Sequence, residues 1–480
     1  MTTAMWVIPS GMAVLSLIAL LLPTHWTHVV RVLASLYLAG LLATQILNVW
    51  RPMDPVSSWF FITVAVLALF GIWYSGPYIA REAEAHHWPA SRVQKYYAGF
   101  LLFLASLMAL ALLSNYVFLW AAMEVATLSS VLLVALPDQR ASIEAAWKYV
   151  MVTEVGGLIA LLGTILTLHA IGVPLMTWNP APKGHLVGGM SAHWALIGAY
   201  LALIGYAAKA GLAPFHTWLP DAHSEAPAPV SALLSGLKLS AAVLIIYRLD
   251  RLAAVAVPAP YLRMSLIVLG LLSLAVAAVF LAFQRDLKRL WAYSTVEHIG
   301  LISLGVGFGG IALVGAMLHI WTHAASKTLL FHNAGTVRIL YHSSNAEQGA
   351  GNMLRRTPWT GGLLALGSAA IAGLPPFAPF WSEWLILAGG FHQAADRGLA
   401  LVAALLLVII FIAVARRIPS WLFAPGQSGF REAQPIREPA SLILPNAVLG
   451  IVVVASGLGL PWLAHPLWHS LVTELASVHL

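Results

Sequence analysis

Apolar runs of roughly 18 to 22 residues follow one another along this 480-residue chain, separated by short polar breaks. Each run is long enough to cross a bilayer as a helix. Candidate spans lie at roughly 5–22, 29–49, 58–77, 97–113, 115–136, 145–170, 192–210, 221–247, 261–283, 287–307, 309–340, 359–394, 398–418 and 441–464. The pattern predicts an all-α integral membrane protein of about 14 transmembrane helices embedded in lipid. The first run, Met5 to Leu22, has no basic flank before it and no small-residue cleavage site after it, so it reads as a retained span and not as a signal peptide.

Two spans carry proline breaks with the shared wording A-G-L-x-P-F. One is Ala210-Gly211-Leu212-Ala213-Pro214-Phe215, near 208–221; the other is Ala372-Gly373-Leu374-Pro375-Pro376-Phe377, near 372–383. Gly and Pro inside an apolar span free backbone groups that only protein or internal water can satisfy, so each break is expected to line a cavity. Their recurrence in the two halves predicts an inverted repeat.

Composition agrees with a membrane location. Charged residues make up 9% of the chain and hydrophobic ones 60%, whereas soluble domains carry roughly 25% charged residues. There is no cysteine, which excludes disulfides, thiolate-held iron–sulfur clusters and a cysteine nucleophile. The net charge of +7 is assigned to cytoplasmic loops and not to nucleic-acid binding. With the N-terminus placed outside, sixteen of the 25 lysines and arginines fall on inward loops, six on outward loops and three inside spans. This bias puts both termini on the periplasmic side of a bacterial cytoplasmic (inner) membrane.

The three lysines inside spans are Lys209, Lys238 and Lys327. Each costs about 2.5–3.5 kcal/mol at mid-membrane, so each is expected to face the bundle interior and to have a partner. Lys209 directly precedes the first break, and Glu383 follows the second. A lysine in an apolar site loses its charge unless a carboxylate stands near, so moving that carboxylate would switch it between holding and releasing a proton. The candidate carboxylate is Glu124, about ten residues into its span, with no basic residue in helical reach. Glu154 is a secondary candidate, equally readable as a satisfied core carboxylic acid. Lys238 lies mid-span among small residues, placed to relay a proton towards the second half.

Histidines add groups matched to proton exchange near neutral pH. His216 and His223 bracket one turn, with Asp221, Ser224 and Glu225 as polar neighbours. His216 reads equally well as a cap on the broken helix. His319, His323 and Lys327 stand at i, i+4 and i+8 and so share a helix face. Glu297 and His298 form a further titratable pair on the preceding helix. His319 with His323 also has zinc spacing, and His298 with His319 would suit bis-histidine haem. However, no H-E-x-x-H wording or neighbouring carboxylate completes a zinc site, so neither metal nor cofactor is expected. The remaining loop and tail histidines, His185 and His465 among them, read as solvated or interfacial.

The stretch from Lys209 to Lys238, K-A-G-L-A-P-F-H-T-W-L-P-D-A-H-S-E-A-P-A-P-V-S-A-L-L-S-G-L-K, closely resembles the antiporter-like, proton-conducting subunits of complex I, Mrp antiporters and group 4 membrane-bound hydrogenases. Ala292-Tyr293-Ser294-Thr295-Val296-Glu297-His298 and the H-x-x-x-H-x-x-x-K stripe extend the resemblance to roughly residues 90–420. The Glu-His pair and the H-S-E-A-P-A-P wording are most similar to the F component of hydrogenase-4-type complexes. The resemblance implies fourteen core helices with two inverted five-helix repeats. It also implies that Glu124 is the carboxylate of the fifth span, Lys209 the lysine of the broken seventh, Lys238 that of the eighth, and Glu383 the ionisable group of the broken twelfth.

The expected organisation is peripheral helices at 1–90, a first repeat at 91–250, a second at 251–420, and a loop, last helix and short tail at 421–480. The family's longest members carry a C-terminal amphipathic helix that this short tail does not supply, so contact with partners is expected elsewhere. The chain is expected to carry no catalytic site of its own. It would translocate protons as a subunit of a respiratory or hydrogenase-type complex, with hydrogenase or quinone-oxidoreductase subunits as partners. The alternatives are a gradient-consuming membrane partner of a soluble carbon-capture enzyme, or a Na+/H+ antiporter component. Nothing resembles a nucleotide-binding loop.

Overall fold

A computed structural model describes residues 4–46, 54–177, 190–254, 259–345, 351–423, 435–463 and 472. The loop residues Arg51, Lys183 and Arg431, and the histidines His185, His465, His469 and His479, lie outside the described residues. Among the described residues all regular structure is helical, apart from one isolated bridge between Asp286 and Asn345.

The helices start where the sequence supplies caps. Helix α1 is Ala4–Leu21, α2 Thr27–Ile46, and α3 Pro55–Ala85. Asp54 caps α3, its side chain accepting from the Ser57 amide at 2.8 Å, with Pro55 in the first turn where no amide is needed. After α4 (Ala90–Leu112), Asn115 caps α5 (Tyr116–Ala135) by accepting from the Val117 and Phe118 amides. Helix α6 is Arg140–Ala170, opened by a reciprocal Gln139–Ser142 cap, and α7 is Met190–Ala210.

The first break follows at once. Gly211 adopts φ +69, a conformation that costs a residue with a Cβ far more than glycine, and Pro214 contributes no amide, so α7 cannot continue. The chain then makes a 3-10 turn at Phe215–Trp218 and the short helices α8 (Leu219–Glu225) and α9 (Ala228–Leu233). A π-helical turn at Leu234–Lys238 leads into α10, Leu239–Ala253. The span expected at 221–247 is therefore interrupted twice more, at Pro227 and at the π turn. Hydropathy alone shows neither.

In the second half, α11 is Ala259–Leu281, α12 Leu287–Phe308 and α13 Gly310–Tyr341, followed by α14 (Met353–Arg356). The second break separates α15 (Pro358–Ile371) from α16 (Ala378–His392), with Gly373 at φ +68. Helices α17 (Arg397–Leu422) and α18 (Ala440–Leu463) complete the bundle.

Ten helices are long and apolar enough to cross a membrane, among the described residues. The four other expected spans correspond to α1, to α12 and α13, whose charges and histidines lower their hydropathy, and to the interrupted pair α15–α16. Outer faces are apolar, as lipid requires: Trp147, Met151, Val155, Leu158 and Leu162 form an exposed stripe along α6. The polar and titratable side chains turn inward. Helices α6 and α7 meet at backbone distance, so a Cβ on Gly163 would strike the α7 backbone at Ala202.

Helix α3 is buried against α13, where the Tyr74 hydroxyl donates to the His332 carbonyl at 2.6 Å and Trp59 Nε1 to the Met317 carbonyl at 2.8 Å. Its length and aromatic content make it a core helix.

Candidate functional site

Lys209, the penultimate residue of α7, is fully buried, and its Nζ lies 2.6 Å from a Glu124 carboxylate oxygen on α5. Thr127, one turn further along α5, stands at 3.3 Å and Glu154 on α6 at 3.4 Å. Glu154 is not a fully buried carboxylic acid. About a third of its side chain (32%) is exposed, against 12% for Glu124, so one member of the trio opens outward.

The trio fits because α6 carries Gly157 at the contact. A Cβ there would meet Glu124 Oε1 and come within 2.9 Å of Lys209 Nζ. Overpacking of this kind costs about 1–3 kcal/mol. Gly157→Ala is therefore expected to separate the pair and slow proton movement several-fold to about 100-fold without loss of folded protein. Flux in vesicles together with the amount of assembled protein checks it.

Lys238 is also fully buried, but its partner is neutral. Its Nζ donates to the Tyr149 hydroxyl at 2.9 Å and sits 4.8 Å above the Tyr149 ring and 5.2 Å above that of Trp218, the two rings being stacked. Tyr149 continues to Ser130 on α5 at 2.7 Å. The π turn ending at Lys238 lets its helix lie against α13, where a Cβ on Gly236 would touch Ala324.

His223 bridges the halves. It is buried, stacks on Phe331 of α13, and lies within charge–charge reach of Lys238, Lys288 and Lys327. Neither ring nitrogen has a partner among the described residues, and nor does either nitrogen of His323. Buried polar atoms of this kind are where internal water binds. Lys327, on α13, donates to the Trp291 carbonyl at 2.8 Å and has no carboxylate within ion-pair distance among the described residues.

The second half gathers His298, His319, His323, Glu297 and Glu383. His298 Nδ1 is 3.0 Å from His319 Nε2, and His319 Nδ1 is 2.8 Å from the Ser382 hydroxyl. His323 packs 5.2 Å from the His298 ring and 6.1 Å from that of His319. Glu297 Oε2 lies 3.7 Å from His298 Nε2. Glu383 approaches Gly373 so closely that a Cβ there would displace its carboxylate, which ties the carboxylate to the left-handed turn of the break. A cavity of about 320 Å3 opens between α16 and α17, with Glu297 and Glu383 on its inner wall.

The four remaining polar residues of this turn stand apart. Asp221 does not serve the histidines: it pairs with Lys148 at 2.9 Å and Arg289 at 2.8 Å, while Ser224 bonds the Pro220 carbonyl. Glu225 points away from His223 into a small recess shared with Glu82 and Arg338. His216, in the 3-10 turn, is half-buried and takes no part in the line of buried groups.

Sequence reasoning missed Lys288, which it counts among the inward-loop charges. It is 2% exposed, and its Nζ donates at 2.6 Å to both the Ser224 and Ala226 carbonyls at the end of α8. A cation at a helix C-terminus is favourably placed. Tyr149, Ser382 and the buried His332, stacked 4.1 Å from Tyr74, were also missed. Only His332 left a sequence signal, as another histidine on α13.

The profile of the family described as NADH:quinone oxidoreductase/Mrp antiporter, TM, matches residues 109–413. The chain is 35% identical to the Hydrogenase-4 component F homolog of Methylacidiphilum infernorum, over 82% of this chain and 83% of that protein. It is 30% identical to NADH-quinone oxidoreductase subunit N of Desulforudis audaxviator, over 85% and 81%. A chain of the membrane-bound sulfane sulfur reductase, an archaeal respiratory membrane complex, superposes with TM-score 0.83 over 99% of this chain and 96% of that one, at 23% identity.

Proposed function

Since the chain belongs to the NADH:quinone oxidoreductase/Mrp antiporter transmembrane family, we propose that it translocates protons as a subunit of an energy-coupled respiratory or hydrogenase-type complex in a bacterial inner membrane. One observation carries this reading. Buried titratable groups succeed one another from the Glu124–Lys209 pair at one broken helix, through Lys238, His223 and Lys327, to His323, His298 and His319, and end on the half-buried Glu383 at the other break. A scaffold has no need of lysines buried without carboxylates, because each weakens the fold.

In this reading residues 91–250 and 251–420 are the two inverted repeats, each with a titratable group at its break. Both termini lie on the periplasmic side. Lys209 holds its proton while Glu124 faces it. When a neighbouring subunit's reaction, or proton return, draws Glu124 away, Lys209 releases the proton towards Lys238, whose neutral partner Tyr149 does not trap it. Protons suit this line better than sodium, since imidazole and amine nitrogens dominate it and sodium prefers oxygen ligands.

The test is to purify the complex gently from native membranes, identify its subunits by mass spectrometry, and reconstitute it in vesicles with a pH-sensitive dye. Redox subunits and acidification driven by their reaction are expected. A soluble carbon-handling enzyme as the sole partner would instead make the line a gradient-consuming conductor. Vesicles that move no protons under either drive would overturn the proposal.

A further inference from the structure

The histidine cluster has an arrangement that proton transfer alone does not require. Donor atoms of His298, His319 and Glu383 all lie within 4.8 Å of one another. Two imidazoles and a carboxylate, on three different helices, converge on one point. No local spacing announces this, which is why the sequence suggested that no carboxylate would complete a metal site. The facing atoms are His298 Nδ1 and His319 Nε2, 3.0 Å apart. The far nitrogen of His319, Nδ1, is backed by the Ser382 hydroxyl at 2.8 Å, whereas His298 Nε2 has no hydrogen-bond partner among the described residues, with Glu297 Oε2 3.7 Å away. Backing of this kind is how proteins orient metal-binding imidazoles and fix their tautomers.

We propose that His298 Nδ1, His319 Nε2 and the Glu383 carboxylate bind a divalent transition ion of zinc type, which reversibly blocks proton transfer in the second half. Bonds of about 2.0–2.1 Å hold the donors of a tetrahedral ion roughly 3.3 Å apart, so the histidine pair needs little opening and the carboxylate a short advance. Glu383 can make that advance, since it stands in the second turn of α16, just past the break, beside the 320 Å3 cavity through which an ion would arrive. His323, whose ring lies 5.2 Å from that of His298 and 6.1 Å from that of His319, stands outside the converging trio. Two imidazoles disfavour magnesium and calcium, which prefer oxygen. An ion held there displaces the proton shared between His298 and His319 and puts positive charge in the line. The block rests on the proposed proton role; the binding does not.

The purified, chelator-treated complex is titrated with Co2+, and the visible absorption of nitrogen-ligated cobalt and its displacement by Zn2+ are followed. One Co2+ per chain is expected to be lost in His319→Gln and in Glu383→Gln, and weakened about 10- to 100-fold in Ser382→Ala, the mildest change and the one least able to disturb folding. Replacing the loop pair His86 and His87 by alanine is expected to leave the signal intact. Cobalt uptake unchanged in the first three variants, or lost with the loop pair, overturns the site. A complex that moves protons but binds no Co2+ also overturns the site while leaving the proton reading standing. A complex that binds Co2+ through these residues but moves protons undiminished with Zn2+ bound supports the site and counts against the second-half path.

Discussion

Lys209→Arg is expected to leave the protein assembled and to lower coupled proton movement about 100-fold or more, the usual scale for losing a positioned proton-transfer group. Arginine keeps the positive charge that Glu124 faces at 2.6 Å and Glu154 at 3.4 Å, so the electrostatic reason for the three helices to meet survives. What it loses is chemistry, because a guanidinium does not give up its proton in a protein. Lys209→Ala makes the contrast. It leaves the largely buried Glu124 carboxylate without a counter-charge, and breaking a buried pair by removing one partner costs about 3–5 kcal/mol. Flux and assembled protein should then fall together. Dye quenching in inverted vesicles, with native gels for assembly, separates the two. If the arginine variant pumps like wild type, the pair is structural and the proton begins elsewhere.

The sequence made some parts of this arrangement legible and hid others for physical reasons. The breaks were readable because Gly211 and Gly373 adopt left-handed backbone and the neighbouring prolines lack amides, requirements that few residues other than glycine and proline meet. The mid-span lysines were readable because hydrocarbon tolerates few charges, so each stands out against its neighbours. Lys288 was hidden because it sits at a helix start beside Arg289, where a charge ordinarily reaches water; only the end of α8, brought in from 62 residues away, takes its ammonium instead. Tyr149 and Ser382 were hidden because tyrosine and serine are unremarkable in an apolar helix until a lysine or a histidine from elsewhere arrives within 2.9 Å. Sequence adjacency also misled. Glu225 is two residues from His223, yet it lines a different recess, because the end of α8 turns the two side chains apart.

Lys327→Met is expected to abolish proton movement while raising the temperature at which the protein unfolds, so the two measurements change in opposite directions. Lys327 is fully buried on α13, bonded among the described residues to the Trp291 carbonyl at 2.8 Å and lying 5.7 Å above that residue's ring. Among the described residues no carboxylate stands within ion-pair distance, and Glu297 acts on it only from farther off. Methionine matches its length and needs no partner, and the Trp291 carbonyl keeps the Thr295 hydroxyl at 2.9 Å. Replacing buried charge by apolar groups of similar volume is often neutral or stabilising by about 1–4 kcal/mol. The line from His223 to His323 would lose its only lysine, and protons delivered through Lys238 would have no amine to carry them on to the histidines of the second half. Lowered stability in Lys327→Met would mean that the ammonium is firmly paired in the folded state, by water or by a carboxylate that moves, and that the resting charge of this lysine is part of what holds α12 against α13.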